Sequence, residues 1–225
     1  MVDLGKRTFF EAGGLLLDKE DLKFSVAAPV SSNEQPPTYV DNRSFLLAAD
    51  DQGTTSQCAA YSMASVIEVA LWKKTREHRT IDPVPIYDEA KRIDGNSEPG
   101  TYLDSVVHAA KTLGLISIDA RARALRTRND VKFALREFEV CLLGMKITQG
   151  WNNVDARTGF IGPDPQSLGG HAVTACWYDD SPGSSAPGIG IENSWGLSWG
   201  VRGFGRMTWE QFDKQFLYGL VVENI

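Results

Sequence analysis

From Ala59 to Leu71 the chain reads AAYSMASVIEVAL, an apolar helical pattern that leaves almost no face for water. A helix of that kind must be covered on all sides, so the rest of the chain has to fold around it. The preceding residues, Gln52 to Gln57, are polar, contain Gly53 and read as a loop. Cys58 stands where the loop becomes the helix. Unpaired amides and the helix dipole favour an anion at that position and can lower a cysteine pKa by several units, so a thiol there is a nucleophile awaiting a base. A cysteine on an apolar segment is more often packing than chemistry, so the partners decide.

Three histidines offer themselves. His78 lies in the charged run KKTREHRT and reads as a solvated surface residue, and His108 lies in SVVHAAKTLG, on a helix face. His171 follows two glycines in SLGGHAVTACWY and leads into a strand-like pattern, where small neighbours leave the imidazole room. Further on, IGIENSWGLSWG sets Asn193 beside Trp195, with a second Trp-Gly pair at Trp199 and Gly200. Each residue has a plain alternative: Gln52 as a turn residue, Asn193 as a strand-end cap, Trp195 and Trp199 as core aromatics. One mechanism explains the polar positions together, where the plain readings need separate coincidences.

With Gln52 six residues before Cys58, then His171 in His-Ala-Val and Asn193 in Asn-Ser-Trp-Gly, the chain resembles the papain-like cysteine peptidases. The likeness runs from about Pro36 to the C-terminus. It includes PTYVDNRSF, similar to the start of mature family members, and IYDEAKRIDG and GTYLDSVVHAAKTLGL, which look like bacterial relatives. The resemblance implies an α+β, two-lobed fold, a helical lobe plus an antiparallel β-barrel-like lobe with the active-site cleft between them. It implies Cys58 as nucleophile, resting as thiolate beside an imidazolium on His171, with Asn193 orienting that ring. Gln52 would donate to the oxyanion beside the Cys58 amide, and Trp195 would shield the histidine–asparagine bond. Gly100, Thr101, Gly170 and Trp195 would bind substrate, and Leu168 or Met145 would approach the pocket beside His171. No metal and no cofactor is implied.

Departures from the family pattern matter too. Ala59 stands where a tryptophan is common, Thr55 replaces a cysteine and so removes its disulfide, and Thr101 replaces one of two glycines that pair with extended substrates. The segment DDSPGSSAPG, residues 179–188, reads as a long polar loop.

Composition excludes several classes. A net charge of −6 provides no basic footprint for nucleic acid, and no apolar run reaches membrane-spanning length. The first residues, MVDLGKRTFFEAGG, lack the pattern of a secretory signal. Cys58, Cys141 and Cys176 have no metal-ligand spacing, and the last two lie in apolar runs as inert thiols. A reducing compartment, bacterial cytoplasm, is expected.

Residues 1–35 read as an N-terminal extension and linker, and residues 36–225 as the catalytic domain. Its helical lobe is expected over about 45–125 and its β-rich lobe over about 126–218. Asn129 or Asp130 is expected to cap a helix through DVKFALREF. The apolar Leu15 to Leu17 run predicts a segment that packs on the protein, over or near the cleft, and SVAAPVSSNEQPP a flexible link. The expected function is endopeptidase action on a polypeptide through a thioester. An amidase, deamidase or acyl transferase with the same residues, or a weakly active binding protein of the same fold, are the alternatives.

Overall fold

The computed structural model describes Leu15 and residues 35–225. The expected flexible link and the rest of the N-terminal extension fall almost wholly outside the described residues. After a short strand, β1 (Tyr39–Asp41), the polar loop delivers the chain to α1 (Cys58–Thr75). Its all-round apolarity is answered by α2 (Pro83–Asp94), α3 (Leu103–Thr112) and the face of a β-sheet. Cys58, Ala59, Met63 and Ile67 are fully buried, and each large side chain among them contributes roughly 1.5–3 kcal/mol by leaving water. The ends of α2 follow local rules. Asp82 caps it by accepting from the Val84 amide at 3.0 Å, Pro83 occupies the first turn, and Gly95 closes it at φ 65°.

The second half is built on β2 (Arg121–Leu125), α4 (Arg128–Phe138), β3 (Cys141–Thr148), β4 (Ser167–Asp179), β5 (Gly188–Glu192), β6 (Phe204–Thr208), α5 (Trp209–Gln215) and β7 (Phe216–Glu223). The strands form a seven-stranded sheet in the order β2-β7-β3-β4-β5-β6, with β1 on β4, and every pairing is antiparallel. The α+β, two-lobed architecture expected from the sequence is the one observed. The α4 cap is Thr127, not Asn129 or Asp130. Its hydroxyl accepts from the Asp130 amide at 3.1 Å while the Asp130 carboxylate accepts from the Thr127 amide at 2.8 Å, a reciprocal box that places Asp130 inside the first turn.

Strand alternation divides the core. Leu142 and Ala172 face the helices, whereas Leu143, Met145, Val173 and Ala175 face a second cluster with Trp151, Trp195 and Trp199. The loop between β4 and β5 is anchored at its start. Asp180 accepts from the Trp209 indole at 2.5 Å and pairs with Lys132. Among the described residues no helix is long and apolar enough to cross a membrane.

Candidate active site

Cys58 is the first residue of α1, and its sulfur accepts from the Ala172 amide at 3.4 Å. Residue 172 follows His171 on β4, so this one bond joins the start of the helix to the strand that carries the histidine. The His171 Nε2 lies 2.8 Å from Asn193 Oδ1, and both residues are buried. With Oδ1 as acceptor, Nε2 carries the proton and Nδ1 keeps its lone pair.

The loop before α1 and the loop after β5 are stitched together by backbone. The Gln52 amide donates to Ser194 O at 2.8 Å, the Gly196 amide donates to Asp50 O at 2.9 Å, and Asp51 pairs with Trp195 as an antiparallel bridge. The Gln52 side chain is oriented at both ends. Its Oε1 accepts from the Ser194 hydroxyl at 2.6 Å, and its Nε2 donates to Thr55 O at 2.6 Å, leaving the second Nε2 hydrogen unused by that bond.

Aromatic rings close the histidine side. Trp195 lies against the His171 ring with centroids 4.8 Å apart, and Trp151 meets it edge-on at 6.1 Å. Trp151 is held by its own indole donating to Gln215 Oε1 at 2.9 Å, and its carbonyl accepts from the Trp199 indole at 2.8 Å.

Burial controls protonation here. It pushes the Cys58 thiol up to about 11, against the opposing pull of the amides of Ala172, Ala59 and Cys58 itself. It also holds His171 down at about 4, although the Asn193 bond works the other way. Both shifts work against the ion pair expected from the sequence, because desolvation of the closed site favours the neutral thiol and the neutral imidazole and so opposes the helix terminus.

Leu15 lies on the neighbouring strand residues. It is buried, and its backbone forms a parallel bridge with Thr101. A Cβ on Gly170 would come within 2.9 Å of Leu15 O, and one on Gly144 within 2.7 Å of Leu15 Cδ2 and 3.2 Å of the Tyr218 ring. Those two glycines make the room that the leucine fills. Gly170 precedes His171, and Gly144 pairs with Ala172, so Leu15 sits within a residue of the groups that hold Cys58 and the ring.

Of the residues picked out from sequence, Gln52, Cys58, His171, Asn193 and Trp195 are brought together, and Gly170 and Thr101 line the place of Leu15. Gly100 lies beside Thr101 at φ 93°. Thr101 turns its hydroxyl to Asp94 Oδ2 at 2.5 Å, so its side chain is taken up within the helical lobe. Met145 pairs with His171 across the sheet and packs in the cluster that holds Trp151 and Trp195, with Leu168 against that same cluster, whereas Gly144 is the β3 residue beside Leu15. Sequence reasoning missed Leu15 as the specific contact, Gly144, Tyr218, Trp151 and Ser194. Ser194, inside the Asn-Ser-Trp-Gly run, and Leu15, in the apolar Leu15 to Leu17 run, carried a signal. His78 and His108 are both exposed, away from these groups. All three cysteines are free, and among the described residues no cluster of His, Cys, Asp and Glu could hold a metal ion.

No family model and no curated protein matches the sequence. Solved structures do match. Xylellain, a cysteine protease from Xylella fastidiosa, superposes with a TM-score of 0.77 at 18% identity, over 96% of this chain and 97% of that one. The fold is papain-like. Other papain-like neighbours are procathepsin B S9 of Trypanosoma congolense, TM-score 0.68 at 16% identity over 98% of this chain and 91% of that one, and digestive procathepsin L 3 of Tenebrio molitor, TM-score 0.67 at 15% identity over 91% and 74%.

Proposed function

We propose that the protein is a cysteine peptidase that hydrolyses peptide bonds through a Cys58 thioester, and that it is held latent by its own N-terminal segment. The observation that carries this reading is the bonded chain from the Cys58 sulfur to the Ala172 amide and from the adjacent His171 ring to Asn193. In the reaction, His171 Nδ1 takes the thiol proton, sulfur attacks the carbonyl carbon, and the resulting imidazolium gives the proton to the leaving amine. Asn193 Oδ1 holds the ring as it gains charge. The remaining Nε2 hydrogen of Gln52 and the Cys58 amide supply donors to the oxyanion; removal of one such donor typically costs about 3–4 kcal/mol of transition-state stabilisation. Water then releases the acyl group.

Latency follows from Leu15 and from the full burial of Cys58. A leucine beside the histidine strand keeps water and substrate away and keeps the ion pair from forming. Moving it aside rehydrates the site and restores the terminus effect on the thiol. The same contact argues for substrate class: a place shaped by Gly144, Gly170, Thr101 and Tyr218 around an isobutyl group takes a polypeptide with a branched aliphatic side chain there. Two of the similar structures are proforms of cathepsins, which fits a chain that carries its own cleft occupant.

The test is mass spectrometry after exposure to a thiol-directed peptidyl epoxide with leucine in the peptide. An adduct on Cys58, with Cys141 and Cys176 unmodified, and its loss in His171→Ala support the reading. Equal labelling of His171→Ala overturns it.

A further inference from the structure

We propose that Glu192 is a positioning residue for the histidine–asparagine pair: it holds the Nδ2 end of the Asn193 amide through one water, so that Oδ1 stays on His171. Asn193 is 1% exposed, and its Nδ2 finds no hydrogen-bond partner among the described residues. The same side chain lines a polar cavity of about 10 Å³, the size of one water, with Asp50, Ser65, Thr174 and Glu192 also on its wall. Two buried hydrogens there need an acceptor. Glu192 has the capacity, because Ser65 Oγ occupies only its Oε2, at 2.7 Å, and a carboxylate offers about four acceptor positions.

The orientation matters to the chemistry. With the Asn193 amide turned by half a rotation, Nδ2 would face Nε2, the ring proton would move to Nδ1, and that nitrogen could no longer accept from the thiol. An ionised carboxylate only accepts, so Glu192 selects the competent orientation and with it the ring tautomer.

The electrostatic surroundings are consistent with a variable grip. Among the described residues, the ionisable groups near Glu192 are Glu68 and Tyr61 of α1, Asp50 of the preceding loop and Cys176 of β4, and no lysine or arginine lines the cavity. Burial first, then the Glu68 and Asp50 charges, raises Glu192 to about 7. The carboxylate strengthens as an acceptor as pH rises through that value. The kinetic consequence rests on the peptidase reading; the tautomer does not.

The experiment compares the full chain with Glu192→Leu and Glu192→Gln by the ring ¹⁵N resonances of His171 and by the pH dependence of Cys58 alkylation with iodoacetamide. Wild type is expected to show the Nε2-protonated ring. Glu192→Leu should mix the tautomers and slow alkylation several-fold to about tenfold, the net worth of one hydrogen bond. Glu192→Gln, whose Oε1 still accepts, should keep the tautomer and lose the pH step near 7. Unchanged ¹⁵N shifts in folded Glu192→Leu overturn the proposal, and so does an unchanged pH step in Glu192→Gln, which decides the matter if the leucine variant does not fold. Should wild type cleave no peptide, the peptidase reading fails while the ring resonances still decide this one.

Discussion

Trp195 lies against the ring of His171, centroids 4.8 Å and planes 35° apart, and meets the stacked pair Trp151 and Trp199 edge-on. The imidazole cannot swing away from Asn193 without displacing an indole that two others support. Trp195→Ala and Asn193→Ala are each expected to lower peptide cleavage by about ten- to a hundredfold. Their combined loss should be smaller than the product, because both act on one ring. A double-mutant cycle on kcat/KM checks this, and full additivity would count against the shared role.

Cys58→Ala should abolish the covalent adduct and leave cooperative unfolding intact. The Ala172 amide loses its acceptor, so a stability loss of about 1 kcal/mol is expected. Urea unfolding with mass spectrometry measures both, and an adduct of wild-type yield in the variant would place the nucleophile elsewhere.

Leu15→Asp should speed epoxide labelling of Cys58 by about tenfold or more, since a buried leucine side chain is worth roughly 1.5–3 kcal/mol and a carboxylate gains nothing in that place. The initial labelling rate is the readout. A rate equal to wild type would show that Leu15 does not hold the site closed.

Glu192 binds its proton more tightly folded, at about 7, than its ordinary 4.5. The stability it contributes is therefore complete below about pH 4.5 and is lost as pH rises toward 7, a change of about 3 kcal/mol by linkage. Glu192→Gln should lose less stability than wild type between about pH 5 and about pH 8. Parallel urea midpoints in the two proteins across that range would contradict it.

Thr127→Ala removes half of the box that starts α4 and should cost about 1 kcal/mol, a fall of roughly 2–4 °C in Tm. Calorimetry checks it; Asn129→Ala should do much less, since that residue lies inside the first turn.

What could be read from the chain was what depends on local pattern. The all-round apolarity of α1 required a helix between two layers, and the small residues around His171 required a strand with space beside it. The α4 cap was misplaced by two or three residues because Thr127, Asn129 and Asp130 all have capping side chains, and only the backbone angles choose among them. β2 and β7 were not singled out, since their pairing joins residues about a hundred positions apart and leaves no mark in either segment. The choice of Gly144 over Met145 turned on strand parity, which register fixes. The upward push on the thiol was illegible for a different reason: a helix terminus is written in sequence, while the dryness that opposes it is a property of the assembled cleft.

The backbone stitch between Asp50–Gln52 and Ser194–Gly196 gives Gln52 and Asn193 a common mechanical datum. When the lobes breathe, Gln52 and Asn193 travel as one body, and positional error between them cancels instead of accumulating.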